Sequence, residues 1–265
     1  MRRVAIALLT VIFFATLGAD FFSPASYETQ FRESPNARPT PHHPLGTDDL
    51  GRDRLARLLY GSRISLLLAP AAALLATMIA VIAGASAALL GGWWDRAFLS
   101  GTDLSLSLPW IFLLITVRAL LPLDVAPLIS IAVTFLLLGA LGWAGPARVV
   151  RASVAHMLRS DFLLQARASG LSRARLILAH VLPNLRPVML AQFLISIPVF
   201  ILSEANLGLL GLGVSEPVPS WGNLLRDLER FSEVESNPWL LAPAAMLIAV
   251  VICFQILARR QETHI

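Results

Sequence analysis

Apolar residues run in long blocks along this chain, and the stretches between them hold most of the charge. Six blocks approach the ~20 residues that a helix needs to cross a bilayer. They cover residues 4–22, 64–90, 104–121, 125–143, 187–210 and 239–257. The pattern predicts an all-α, polytopic membrane protein with six transmembrane helices. Pro70, Gly84, Pro109 and Pro198 fall inside the blocks, where neighbouring helices and polar groups re-satisfy the backbone.

Composition supports the same solvent. Hydrophobic residues make up 56% of the 265, charged residues only 14%, and the mean hydropathy is +0.71. A soluble domain carries about 25% charged residues, so this chain lacks the polar surface to face water all round. All 21 Lys+Arg residues are arginine. They sit between the apolar blocks rather than on one polar domain, which argues for positive-inside topology and against nucleic acid as a partner. Arg2 and Arg3 precede the first block. Arg148, Arg151, Arg159, Arg167, Arg173, Arg175 and Arg186 lie between the fourth and fifth, against the single acid Asp161. Arg259 and Arg260 follow the sixth. Both termini are therefore expected on the cytoplasmic side of a bacterial inner membrane. The first block reads as a retained anchor or as a secretory signal, and either choice leaves residue 23 onward outside.

The connection between the fourth and fifth blocks, about 144–186, has internal order. Asp161–Ser169 reads as a short helix stopped at Gly170. Ser172 is placed to cap a second, which runs to Leu182 and ends at Pro183-Asn184. Loops of this length are commonly functional. The sequence Gln165-Ala166-Arg167-Ala168-Ser169-Gly170, followed by His180-Val181-Leu182-Pro183-Asn184, resembles the EAA loop of ABC-importer permeases. The chain departs from that pattern at Leu164, where the motif glutamate falls.

A second stretch carries more specificity. His43-Pro44-Leu45-Gly46-Thr47-Asp48-Asp49-Leu50-Gly51-Arg52-Asp53, continuing through Arg57 to Leu66, is similar to the entry segment of the dipeptide/oligopeptide permease family, C-type subunit. It reads as a Gly/Asp turn leading into an amphipathic helix at the outer interface. Residues 142–151 and 204–214, with Pro217, Pro219 and Ser220-Trp221-Gly222, resemble the same family in the same order.

The resemblance implies a type I importer fold, with residues 1–40 as anchor and external linker and 41–265 as the permease domain. It implies a coupling helix docked on an ATPase. The implied partners are a second permease, two ABC ATPases and an extracytoplasmic substrate-binding protein. The implied cargo is a di- or oligopeptide; nickel, glutathione and other small-solute systems use closely similar permeases. A membrane enzyme and a non-transport scaffold are the readings from other classes.

The residues agree with a transport subunit that is not itself an enzyme. A P-loop needs a lysine to reach the β/γ-phosphates, and the chain has none. No cofactor motif, nucleophile constellation or metal-ligand spacing stands out. His42 and His43 lack a third ligand nearby, and Cys253 is the only cysteine. Within the blocks, Arg118 and Glu204 stand out, because a charge at membrane depth is costly. Both fall in the outer third of their blocks. They are expected to pair, as a packing element, or to face a water-filled path.

Overall fold

Asp53 opens the longest helix. Its Oδ1 accepts the backbone N–H of Ala56 at 2.7 Å, satisfying one of the free donors of the first turn. In the computed structural model the described residues are 1–120, 126–229, 234–235 and 237–262, with the side chains of 110, 164, 167, 173 and 260–262 also outside the description. Before Asp53 come α1 (Arg2–Leu17), α2 (Ala19–Phe22) and an irregular segment, 23–53. Isolated bridges between Gln30 and Arg52 and between Thr47 and Asp53 tie that segment to itself. Two glycines make its turns. Gly46 and Gly51 have φ of 71° and 75°, and a Cβ on either would meet a backbone oxygen at 2.3 Å.

From Asp53 the chain runs through α3 (Arg54–Leu90). Its 37 residues span about 55 Å at 1.5 Å each, well beyond the ~30 Å hydrocarbon core. The helix therefore starts ten residues before the apolar block at 64, and the expected interfacial helix is its first turns. Next come α4 (Gly92–Ser107), α5 (Trp110–Ala119), α6 (Pro127–Leu141) and α7 (Ala144–Met157). Then follow α8 (Asp161–Ala168), α9 (Arg173–Leu176), α10 (Leu182–Leu209), α11 (Trp221–Leu225) and α12 (Ala242–Glu262). No strand is present among the described residues.

Four helical stretches are long and apolar enough to cross a membrane: Arg54–Leu90, Pro127–Met157, Ala174–Leu209 and Pro238–Arg259. Gly92–Ser107 and Ile111–Ala119, bent by 73° around Pro109, make a fifth if they form one span. The first expected span, α1, has 16 residues, or about 24 Å, and α2 continues it beyond Gly18. The expected block ends at 121 and 125 lie outside the described residues.

Small residues let the helices approach closely. A Cβ on Gly84 of α3 would meet the Ala147 oxygen of α7 at 2.3 Å, and one on Gly139 of α6 would meet the Ala72 oxygen of α3 at 2.9 Å. Such contacts replace hydrophobic driving force where lipid surrounds the bundle. The main core gathers Leu66, Phe135, Leu138, Phe200, Ile201 and Trp221. A second, separate cluster joins Val150 and Val154 of α7 to Leu163 of α8, Leu176 of α9 and Leu185 of α10. The connection between α7 and α10 thus has a core of its own.

Pro183 does not end a helix. The stretch Ile177–Val181 is a π-turn, and the Leu182 N–H reaches back five residues to the Ile177 oxygen. A wider turn relieves the clash that a proline ring makes with the carbonyl four residues before it. The helix from Arg173 consequently runs on into α10, where a separate short helix was expected.

Candidate functional site

Three groups of residues singled out in the sequence fall in three parts of the fold. The first is the connection 158–184. Leu163 is buried and Ala166 packs beside it, whereas Gln165, Ala168, Ser169 and Gly170 are exposed at the tip. Gly170 has φ 80° with open space where a Cβ would stand, so conformation rather than crowding calls for glycine there. Ser172 caps the next helix as expected, accepting the Arg175 N–H on its Oγ at 3.4 Å and the Leu176 N–H on its carbonyl at 2.9 Å. Farther along, the His180 ring meets Phe162 edge-on at 5.1 Å, and Asn184 Nδ2 donates to the His180 oxygen at 2.7 Å. Pro183 stands at the start of α10. The side chains of Leu164 and Arg167 lie outside the described residues.

The second group is an ion network built by the turn before α3. Asp48 Oδ1 accepts the N–H groups of Leu50 and Arg52 at 3.0 and 2.7 Å, and its Oδ2 accepts Arg52 Nε at 2.6 Å. Arg52 Nη1 and Arg57 Nη2 then reach across to Glu216, at 2.8 and 2.9 Å. Burial works against the Arg52 charge, but the carboxylates of Asp48 and Glu216 outweigh it and hold the guanidinium above its ordinary value. Asp53 Oδ2 meets His43 Nδ1 at 2.8 Å, and Arg54 pairs with Asp227. Thr47 Oγ1 donates to the Ser34 oxygen at 2.5 Å and accepts from the Ala37 N–H at 2.9 Å. The network clips the segment before α3 to the loop after α10. Glu216 is the member that sequence reading missed. Its motif context, between the family-like residues 204–214 and Pro217, was the available signal.

Trp221 and Gly222 close the same region. Trp221 is fully buried, and the Gly222 Cα sits 2.3 Å from where a Cβ on Gly208 would stand.

The third group is the intramembrane charges, which the structure does not bring together. Arg118 Nε donates to the Leu212 oxygen at 2.8 Å, and its Nη2 donates to the Gly213 oxygen at 2.5 Å and to Ser130. Glu204 is fully buried, with neither carboxylate oxygen in hydrogen-bonding geometry. The Ser220 and Ser65 hydroxyls and the Gly222 backbone lie beside it. Similar depth did not fix the rotation of the two side chains about their helices, and the carbonyls of the loop after α10 took the guanidinium.

Two arginines read as positive-inside residues have partners as well. Arg151 grips Asp95 through two contacts of 2.5 Å, and Arg148 holds Thr102 at 2.9 Å and pairs with Asp103. Both tie α7 to α4.

The segments that build these features coincide with a known pattern. Residues 61–265 match the family described as "Binding-protein-dependent transport system inner membrane component". The chain belongs to that family. It is 35% identical over 252 residues to the oligopeptide transport system permease protein OppC of Haemophilus influenzae, covering 94% of this chain and 78% of that one. It is 31% identical over 257 residues to OppC of Bacillus subtilis, covering 97% and 82%. The match to the dipeptide transport system permease protein DppC of the same bacterium is 31% over 260 residues, covering 97% and 78%. As a member of this family the chain is a multi-pass membrane transport subunit rather than an enzyme.

Proposed function

We propose that this permease imports short peptides, as one of two permease subunits that together line the path. The carrying observation is the likeness to named peptide permeases over nearly the whole chain. Six spans with both termini cytoplasmic suit the arginine distribution. They require α1 with α2 to complete one crossing and the bent pair α4–α5 another. Residues 1–40 then act as anchor and external linker, and 41–265 as the permease domain. In this orientation α8 and the turn at Gly170 face the cytoplasm and dock on an ATPase, one of two that drive the cycle. The exposed Gln165, Ala168, Ser169 and Gly170, held beside a small core, support that role. With leucine at position 164, docking rests on shape and apolar contact. A binding protein delivers the peptide to the outer face. ATP closure then shifts the permease pair between two states through differential affinity for the closed ATPases.

The test is uptake of a labelled tripeptide into membrane vesicles holding both permeases and both ATPases, with the binding protein added. ATP-dependent accumulation that disappears without this chain is the expected result. Uptake of nickel or glutathione with no peptide uptake would overturn the substrate. Reporter fusions after Ala37 and after Ser172 should fall on opposite sides of the membrane, and the same side for both would overturn the topology.

A further inference from the structure

A polar cavity of about 430 Å³ opens between the turn before α3, the end of α5 and the loop that follows α10. Small-ligand sites run from about 300 to 1,000 Å³. Five of the nine charged side chains in its wall already have ionic partners. Asp48, Arg52, Arg57 and Glu216 form the closed network described above, and Asp227 is paired with Arg54. Four charged side chains of the wall remain without an ionic partner among the described residues. Arg118 and Arg226 are cations, and Asp49 and Glu229 are anions.

Arg118 is the informative one. Its Nε and Nη2 are braced by two backbone carbonyls and Ser130, while Nη1 has no hydrogen bond among the described residues. Neutral carbonyls orient a guanidinium but leave its charge uncancelled. A half-buried cation fixed in this way is ready for an anion, with little ordering left to do on binding. Asp49, Arg226 and Glu229 are exposed at the rim, where the two acids suit an ammonium group.

We propose that this cavity binds the zwitterionic backbone of a short peptide directly. The α-carboxylate sits on Arg118 Nη1 with Arg226 beside it, and the α-ammonium faces the acids Asp49 and Glu229. The proposal rests on the peptide-import reading and gives it a location, a receiving site at the outer mouth of the path. Because the bound groups are the two termini, the site takes peptides of many sequences and rejects those whose ends are blocked.

The test is equilibrium binding of labelled tri-alanine to the two permeases with their ATPases in lipid nanodiscs, without the binding protein. Tri-alanine should bind, and its C-terminal amide and its N-acetyl form should each bind at least roughly tenfold more weakly, as expected for a lost charge-assisted contact. Arg118→Gln should weaken tri-alanine by a similar factor and leave the amide unchanged. Arg226→Gln, on an exposed position, should do the same more mildly and guards against a folding defect at Arg118. Equal binding of the free and blocked peptides, unchanged binding by both variants, or no binding would each overturn the site. Normal uptake with the binding protein present would then leave the transport reading standing, whereas loss of peptide uptake by the unaltered assembly would overturn that reading instead.

Discussion

The indole N–H of Trp221 donates to Ser62 Oγ at 2.7 Å, with both residues buried, and that hydroxyl donates onward to the Leu58 oxygen at 2.6 Å. One side chain that follows the loop after α10 is thereby fastened into the first third of α3. Backbone approach reinforces it, since a Cβ on Gly61 would meet Ser220 and Pro219 at 3.3 Å.

Replacing Ser62 by Ala should strand the indole donor in the core. A buried donor left unsatisfied costs about 1–3 kcal/mol. Thermal unfolding of the purified assembly should shift downward accordingly. In a double-mutant cycle with Trp221→Phe the two losses should be strongly non-additive. Additive losses would show that the bond does not contribute.

Gly208 should tolerate no side chain. A Cβ there would stand 2.3 Å from the Gly222 Cα and 2.4 Å from its carbonyl carbon, and backbone cannot swing aside as a side chain can. Overpacking of this kind costs about 1–3 kcal/mol or more, so Gly208→Ala should lower the amount of assembled protein in the membrane. Gly145→Ala, a helical position with nothing within 4 Å, is the control and should leave the yield unchanged.

At Gly170 the expected outcome depends on backbone preference rather than size. The φ of 80° favours glycine, and asparagine tolerates that region better than leucine does. Gly170→Leu should abolish transport and reduce recovery of the ATPases in a pull-down, with the protein still in the membrane. Gly170→Asn should retain a substantial part of both. Equal damage from the two would point to a need for open space at the tip.

Arg118 and Glu204 have separate surroundings, so Arg118→Leu and Glu204→Leu should combine additively. Stability of the double variant should equal the sum of the single effects within about 0.5 kcal/mol. Rescue of one variant by the other would show a direct coupling.

The apolar blocks made α3, α6, α10 and α12 legible in the sequence, because lipid demands long apolar helices whatever their neighbours. The break at Gly170 and the cap at Ser172 were legible too, being local chemistry. What escaped was decided by tertiary contact. The start of α3 hid behind Arg54, Arg57 and Arg63, whose charges are absorbed by Asp227, Glu216 and Asp20. The capping position of Asp53 was the signal that hydropathy overlooked. By local rules Pro183 is a stop, since nothing local announces the π-turn that accommodates it. Glu216 and Arg118 were unreadable as partners of Arg52 and of the Leu212 carbonyl, because those contacts join segments roughly a hundred residues or more apart.

The π-turn at Ile177–Val181 works as a one-residue buffer. An added residue in an unbroken α-helix turns everything on one side of it by about 100° relative to the other, at 3.6 residues per turn, and the wider turn takes up most of that rotation. The face that α10 presents to the bundle and the face that Ser172 and Arg175 present beyond it therefore stay in step along one rod, although the stretch between them holds one residue more than α-helical spacing requires. Deleting Ala179 should restore an unbroken α-helical register with little rotation of the tip, whereas deleting a residue from an α-helical turn of α10 should swing the tip by about 100°. The bundle and the tip beyond it keep a common bearing, with slack at one turn rather than a break in the rod.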